Sequence, residues 1–343
     1  MSPTRSARRA RTAALAAALV GIVAIAVSVV VTEFAIRQHH GPAAVTGGPA
    51  AEQPSSSPGR HRAYASLPAR PSSYVGVYEG GSPGSYQQVS QFGRATGTSP
   101  NIALYFSSLS EPFQSGFAAD AWAHGATPAV QIDPLIAGAP ASLSELAAGR
   151  FDPLIRAYAD RVASFGHPVI IGFAHEPNGF WYPWGENDVK PAVWIAAWRH
   201  FVDVFRQQGA DNVIWLWTMN LESSGTLPIS DWWPGASYVT WIGLDGYYAT
   251  AADTFNSIFG SALHTIRKVT RTPVLISETA VADSPSQPQQ IRNLFTAVRR
   301  RGCLGFIWFD KSTPRGAWRL DGDEPAIRTF RRQAARWTLE HAG

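Results

Sequence analysis

The stretch VIIGFAHEPNGFWYPWG, residues 169–185, joins a buried strand to a group of polar and aromatic side chains. It opens with apolar residues and glycine, and His175 and Glu176 then follow side by side. The aromatic residues after this pair include Trp181, Tyr182 and Trp184. A carboxylate at the end of a buried strand is costly unless it is paired or used. The stretch therefore predicts a functional site at a strand end.

The same pattern, a short apolar run followed by a loop and a helical segment, occurs eight times along the chain. The predicted strands are residues 74–79, 101–106, 128–133, 169–176, 212–220, 238–248, 273–280 and 304–310. Strands that are apolar on both faces and alternate with helices indicate a parallel sheet, and eight of them predict a (β/α)8 TIM barrel. The alternative is an open doubly wound sheet. Its dinucleotide loop has a G-x-G-x-x-G spacing, which the glycines of YEGGSPGSYQQ after the first strand lack.

Charge is distributed unevenly along the 343 residues, whose formal net charge is +4. Residues 1–72 contain eight arginines and two glutamates, so the remainder of the chain is slightly acidic. This distribution provides no basic groove for nucleic acid. The single cysteine, Cys303, cannot form an intramolecular disulfide and is expected to be a buried, inert thiol.

The first 72 residues are predicted to be a targeting segment followed by a spacer. Several arginines precede an uncharged apolar run at residues 13–31, which is close to the length needed to cross a bilayer. Residues 1–37 are therefore predicted to be a signal anchor, with a cleaved signal peptide as the alternative, and the rest of the chain is expected outside the cytoplasm. Residues 38–72, rich in Pro, Gly and Ser, are predicted to be a flexible linker. His39 and His40 lie in that linker without acidic neighbours, so we interpret them as solvated rather than metal-binding.

Residues 73–343 would then form the barrel, and the ends of its strands carry polar side chains. Those positions are Glu79, Asp133, His175, Glu176, Asn220, Glu222, Asp245, Tyr247, Glu278, Trp308 and Asp310. Active sites of TIM barrels lie at the carboxyl ends of the strands. Glu176 ends the fourth predicted strand, and Glu278 is the only ionisable residue of the seventh. Two carboxylates across an open mouth lined with aromatic rings indicate glycoside hydrolysis.

Other interpretations of these motifs are weaker. Glu176 could serve a structural ion pair, since ion-pair networks also use carboxylates at such positions. A zinc signature H-E-x-x-H would need a second histidine where Gly179 stands, so no metal is expected. A serine hydrolase of the esterase type is not favoured as the function.

The segments GFAHEPNGFWYPWG, SDWWPGASYVTWIGLDGYY and PVLISETA resemble glycoside hydrolase family 26, which contains β-mannanases and mixed-linkage β-glucanases. The resemblance covers residues 74 to about 340. It implies that Glu176 is the acid/base, that Glu278 is the nucleophile, and that His175 orients the nucleophile and the substrate. It further implies that Trp181 lies at the cleavage point, that Tyr247 or its neighbour Tyr248 bonds to the nucleophile, and that Trp308 is a sugar-stacking platform.

The family mechanism implies retention by double displacement without a cofactor or metal. Tyr182 and Trp184 are expected to add aromatic faces for sugar binding, because flat rings pack against the C–H faces of sugars. WYPWG stands where mannanases of the family have a Trp-Trp doublet, which favours a β-glucan, mixed-linkage glucan or exopolysaccharide substrate over mannan. The expected partners are a β-linked polysaccharide and, through the N-terminus, a membrane, and the chain is expected to be a monomer. The alternative function is a non-catalytic glycan-binding barrel that helps to assemble or export a surface polysaccharide.

Overall fold

The computed structural model describes residues 66–221, 226–312, 316–320 and 324–341. The predicted anchor, residues 1–37, and most of the predicted linker lie outside these ranges, as does Glu222. Among the described helices, none has both the length and the apolar character that a membrane crossing requires.

Eight parallel strands close into a barrel, in agreement with the TIM-barrel prediction. Each strand pairs with the strands before and after it in the chain, and the last pairs with the first. The strands are β1 (Tyr74–Glu79), β2 (Ile102–Ser108), β3 (Thr127–Asp133), β4 (Val169–Phe173), β5 (Val213–Asn220), β6 (Trp241–Asp245), β7 (Val274–Thr279) and β8 (Gly305–Asp310). Strands β3 to β8 are buried along their whole length, because the barrel interior covers one face and the helices cover the other.

Helices surround the barrel in the described part of the chain. They are α1 (Gln87–Thr96), α2 (Ser115–Ala123), α3 (Leu143–Ala147), α4 (Asp152–Phe165), α5 (Pro191–Gln207), α6 (Phe255–Val269), α7 (Gln287–Arg300) and α8 (Glu324–His341). Several begin with the signals that the sequence offers: proline occupies the first turn of α4, α5 and α7, where its missing N–H costs nothing. Thr254 closes a capping box at the start of α6.

The barrel register brings strand-end polar residues to one level. Asn220 pairs with Asp245, and Asp245 pairs with Glu278, so three adjacent strands present a polar side chain at the same height. Because all eight strands are parallel, these ends lie at the same mouth of the barrel. The fold therefore gathers residues that are far apart in the chain into one site.

Strand β4 ends at Phe173, three residues before the predicted end. Ala174 and Glu176 have φ angles of +45° and +52°, in the left-handed region that L-residues rarely adopt. The chain therefore leaves the sheet before the glutamate and turns sharply there. The structure also contains elements absent from the sequence interpretation, namely a small hairpin (Leu135–Ile136 with Ala139–Pro140) and the short helix α3.

Candidate active site

Three indole N–H groups hold the strained turn after β4. The indole of Trp194, on α5, donates to the carbonyl of Ala174 at 3.0 Å. The indole of Trp184 donates to the carbonyl of His175 at 2.8 Å, and that of Trp181 donates to the side chain of Glu176 at 2.8 Å. Left-handed backbone at a non-glycine residue costs free energy and persists only when its surroundings fix it. These three bonds supply that support, which explains why tryptophans follow the carboxylate in the chain.

Glu176 is 1% exposed, and both of its carboxyl oxygens have donors. The indole N–H of Trp181 contacts Oε2, and the amide of Asn220 donates to Oε1. Asn220 is itself fixed, because its backbone N–H and C=O form a reciprocal pair of bonds with the side chain of Asn178. The carboxyl of Glu176 thus has one defined orientation at the end of the barrel.

The position of Trp181 depends on a glycine. A Cβ atom at Gly179 would lie 2.5 Å from the indole ring of Trp181, closer than side chains approach. The loop around it is tightened by backbone bonds from Gly179 to Glu176 at 2.9 Å and from Glu186 to Gly179 at 3.0 Å. The indole can therefore lie directly on the backbone of its own loop and reach the carboxyl of Glu176.

Glu278, on β7, is also buried and accepts a hydrogen bond from the hydroxyl of Tyr247 at 2.7 Å. Burial, together with the negative charge of Glu176, raises the pKa of Glu278 to about 7. The positive charge of His175 and the bond from Tyr247 act in the opposite direction. Two buried carboxyls that repel one another tend to share one proton. His175 and Tyr247 thus keep the pKa of Glu278 lower than burial and the charge of Glu176 alone would make it.

A third carboxyl, that of Asp245, lies beside the pair at the end of β6. It is fully buried and accepts a hydrogen bond from the hydroxyl of Ser277 at 2.5 Å. Burial, followed by the charges of Glu278 and Glu176, raises its pKa well above the ordinary value. Its surroundings therefore favour the neutral form of Asp245.

His175 connects the site to β3. Its Nδ1 lies 3.3 Å from Oδ1 of Asp133, and its Nε2 lies 2.8 Å from the hydroxyl of Tyr182. Burial lowers the pKa of His175, but hydrogen bonding and charge from Asp133, with the charges of Glu176 and Glu278, more than offset this, and the pKa is raised. The neighbouring carboxylates therefore favour the protonated, positively charged form of the imidazole.

Three aromatic residues predicted to bind sugar are buried. Tyr182 and Trp184 are 3% and 1% exposed, stack on each other at 4.4 Å, and support His175 through their polar atoms. Trp308 is fully buried, and its ring packs edge-on against Phe330 of α8. A ring without an exposed face cannot stack on a sugar, so the structure places these three residues in the wall of the site and not on its surface.

Two further aromatic residues lie at the edge of the barrel mouth. Trp181 and Tyr247 are half-buried at its edge. Trp318 packs against Tyr247 with ring centroids 4.9 Å apart. The sequence interpretation had placed Asn220, Asp245 and Asp133 at strand ends without giving them a role. It had no signal for Trp318 or Ser277, because their positions depend on loop path and strand register.

The two glutamates, their separate hydrogen-bond donors and the aromatic edge define the class of protein: a (β/α)8 barrel with the carboxyl pair that glycosidic bond hydrolysis requires. Comparisons with known proteins agree with this class. The family model described as "Glycosyl hydrolase family 26" matches residues 114–280, a range that contains both glutamates. The resemblance inferred from the sequence is thereby confirmed: the matched residues are similar to glycoside hydrolase family 26.

Among curated relatives, Endoglucanase H of Acetivibrio thermocellus is 27% identical over 199 residues, which cover 53% of this chain and 22% of that protein. Mannan endo-1,4-beta-mannosidase A and B of Caldalkalibacillus mannanilyticus is 25% identical over 180 residues, covering 48% of this chain and 33% of that protein. The chain thus spans a third or less of the length of these relatives. A solved GH26 beta-mannanase from Bacteroides ovatus shares the fold, with a TM-score of 0.61 and 14% identity over 77% of this chain and 88% of that one.

Proposed function

We propose that the protein is a retaining endo-β-glycanase that cleaves a β-linked polysaccharide by double displacement. The observation that carries the proposal is the pair of buried glutamates with different partners: Glu176 is oriented by an indole and an amide, and Glu278 by a phenol beside a cationic histidine. These environments suit an acid and a nucleophile, respectively.

In the first step, the carboxylate of Glu278 attacks the anomeric carbon while the glycosidic bond breaks. Glu176 gives its proton to the leaving oxygen, so the departing sugar leaves as a neutral alcohol. In the second step, Glu176 takes a proton from a water molecule, whose oxygen displaces Glu278 from the anomeric carbon. Two inversions restore the original configuration, and each glutamate returns to its starting protonation state.

The remaining residues of the site position the two glutamates and the substrate. Tyr247 fixes the carboxyl of Glu278 by donating to Oε2, and Trp181, half-buried at the mouth, provides an aromatic edge where sugar C–H faces can pack. His175 balances the negative charge of the pair. The names of the relatives, an endoglucanase and a mannan endo-mannosidase, support a β-1,3/1,4-glucan or a β-1,4-mannan as substrate.

Release of reducing ends from β-mannan, mixed-linkage β-glucan, cellulose and β-1,3-glucan tests the proposal. Glu278→Ala should abolish cleavage on every polymer. Glu176→Ala should retain activity on aryl glycosides with good leaving groups, because these need little protonation. Glu324→Ala, which removes an exposed carboxylate on α8, is the matched control and should cleave like the wild type.

Three outcomes would contradict this assignment. Turnover by the Glu278→Ala variant would remove Glu278 from the role of nucleophile. Glycan binding without cleavage by the wild type would instead favour the non-catalytic barrel that serves polysaccharide assembly or export. Inverted configuration of the first-formed product, measured by proton NMR, would contradict double displacement.

We further propose that residues 1–37 hold the enzyme at the outer face of the membrane or direct its secretion, and that it acts as a monomer. The apolar run at residues 13–31 behind its arginines supports the first point. Membrane and medium fractions of cells that make the full chain, compared with cells that make a variant lacking residues 1–37, test it. Cytoplasmic retention of the full chain would contradict it.

A further inference from the structure

Phe180 exposes an aromatic ring beside the site. It is 40% exposed, although the three aromatic residues that follow it in the same loop are half-buried or buried. Its ring meets that of Trp181 edge-on, with centroids 5.2 Å apart and planes at 73°. The mechanism above gives Phe180 no role, and a phenyl ring gains little by remaining in water.

The position of Trp181 relates Phe180 to the reacting atoms. The indole N–H of Trp181 contacts Oε2 of Glu176, the group that protonates the leaving oxygen under the proposed function. The sugar attached to that oxygen departs on the acid side of the site. Glu278 and Tyr247, which act on the anomeric carbon, belong to β7 and the end of β6. Phe180 therefore flanks the leaving-group side.

The next loop carries a second exposed apolar side chain. Leu227, in the loop after β5, is 39% exposed, and its backbone N–H donates to the carboxylate of Glu186 at 3.0 Å. Glu186 lies at the end of the same loop that carries Phe180 and is itself tied to Gly179. Two exposed apolar side chains thus occur on neighbouring loops that a hydrogen bond joins.

We propose that Phe180 is a stacking platform for a sugar residue on the leaving-group side, and that it makes cleavage depend on the glycan chain extending past the scissile bond. The inference rests on the proposed function and deepens it. The ligand is the C–H face of a β-linked pyranose, which packs against aromatic rings. Rate then depends on the leaving-group side because binding energy from remote sugars contributes to reaching the transition state.

The full-length protein with Phe180→Ala tests this on two substrates. One is the polymer that the wild type cleaves, and the other is the β-glycosyl fluoride of the corresponding disaccharide, whose leaving group carries no sugar. We expect kcat/KM on the polymer to fall roughly fivefold to tenfold, and kcat/KM on the fluoride to change less than twofold. Phe180→Trp should restore cleavage of the polymer.

Trp122→Ala is the matched control, because Trp122 is equally exposed at 39% but lies at the end of α2, stacked on His167. It should not change either rate. Equal losses on both substrates by the Phe180→Ala variant would show that the ring only supports Trp181 and Glu176, and would overturn the inference, as would unchanged rates on both. Failure of the wild type on every polymer and on the fluoride would overturn the proposed function, and this inference with it.

Discussion

Tyr247 and Tyr248 are adjacent in the chain, but their hydroxyls have different partners. Tyr247 donates to Oε2 of Glu278, whereas Tyr248 is fully buried and donates to Asn293 of α7 at 3.2 Å. Successive side chains in extended backbone point to opposite sides, so one phenol faces the mouth and the other faces the helix layer. Only the first can influence the charge of the proposed nucleophile.

Replacing Tyr247 with phenylalanine should move the acidic limb of the pH–rate profile to higher pH. The phenol stabilises the ionised form of Glu278, so its removal raises the pKa of that carboxyl further above its present value of about 7. We expect the limb of kcat/KM to shift upward by about half a pH unit to one pH unit. This limb reports the titration of the carboxyl pair as a whole. Tyr248→Phe, the control, should leave the limb in place. An unchanged profile in the Tyr247→Phe variant would contradict this account.

Individual residues also show where sequence reasoning reaches its limit. Glu176 and Glu278 could be identified because a carboxylate at the end of an apolar strand is conspicuous in the sequence. The exposure of the tryptophans could not. Trp181 and Trp184 lie three residues apart in one loop, yet one borders the mouth and the other is 1% exposed beneath it. Their placement depends on the left-handed turn at Ala174 and Glu176, which a run of residue types does not reveal.

At the scale of elements, the strands can be predicted from the sequence more fully than the loop after β4. The strands themselves follow from sequence, because long apolar runs of regular spacing define them, and seven of the eight predicted strands differ from the observed ones mainly by a few residues at their ends. The hairpin Leu135–Ile136 with Ala139–Pro140 is too short to leave such a pattern. The loop after β4 was predicted to be functional, but its internal packing on Gly179 required the structure.

Gly179→Ala should disable the loop while the barrel stays folded. The added Cβ would displace the Trp181 ring, and with it the bond to Glu176. Misplacement of a catalytic group by about 1 Å can cost roughly 100-fold in rate, so we expect kcat/KM to fall roughly 10- to 100-fold while the far-ultraviolet circular dichroism spectrum is retained. Gly116→Ala in α2 is the matched control, since its Cβ would meet open space. Wild-type activity in the Gly179→Ala variant would contradict the proposed role of the packing.

At the scale of the whole molecule, the burial of several carboxyl groups at one end of the barrel affects the folding stability. Glu79, Asp133, Glu176, Asp245, Glu278 and Asp310 are all buried at the ends of strands or just beyond them. Burial raises the pKa of Asp245 and of Glu278, so the folded state holds these protons more tightly than the unfolded chain does. Barrel stability contributed by these protons is complete at low pH and is lost as pH rises.

Glu278→Gln should therefore stabilise the protein at neutral and alkaline pH. Below the unfolded pKa, near 4.5, Glu278 is protonated in both states, and the substitution changes little. As pH rises through about 7, ionisation favours the unfolded wild type, whereas glutamine cannot ionise. The expected gain at pH 8 is roughly 1–3 kcal/mol, measured as the rise in melting temperature across pH 4 to 8. Glu324→Gln, at an exposed position, should show no such pH-dependent gain. A gain that is independent of pH in the Glu278→Gln variant would contradict the argument.

The bond between the Trp181 indole and Glu176 also provides an intrinsic spectroscopic probe. The N–H proton of an indole resonates at a frequency that depends on the charge of its acceptor, and here the acceptor is the carboxyl proposed to carry the transferred proton. Trp184 and Trp194 donate instead to backbone carbonyls, whose charge does not change with pH. With ¹⁵N-labelled tryptophan, the protein thus contains one signal that follows the proton and two internal references a few residues away.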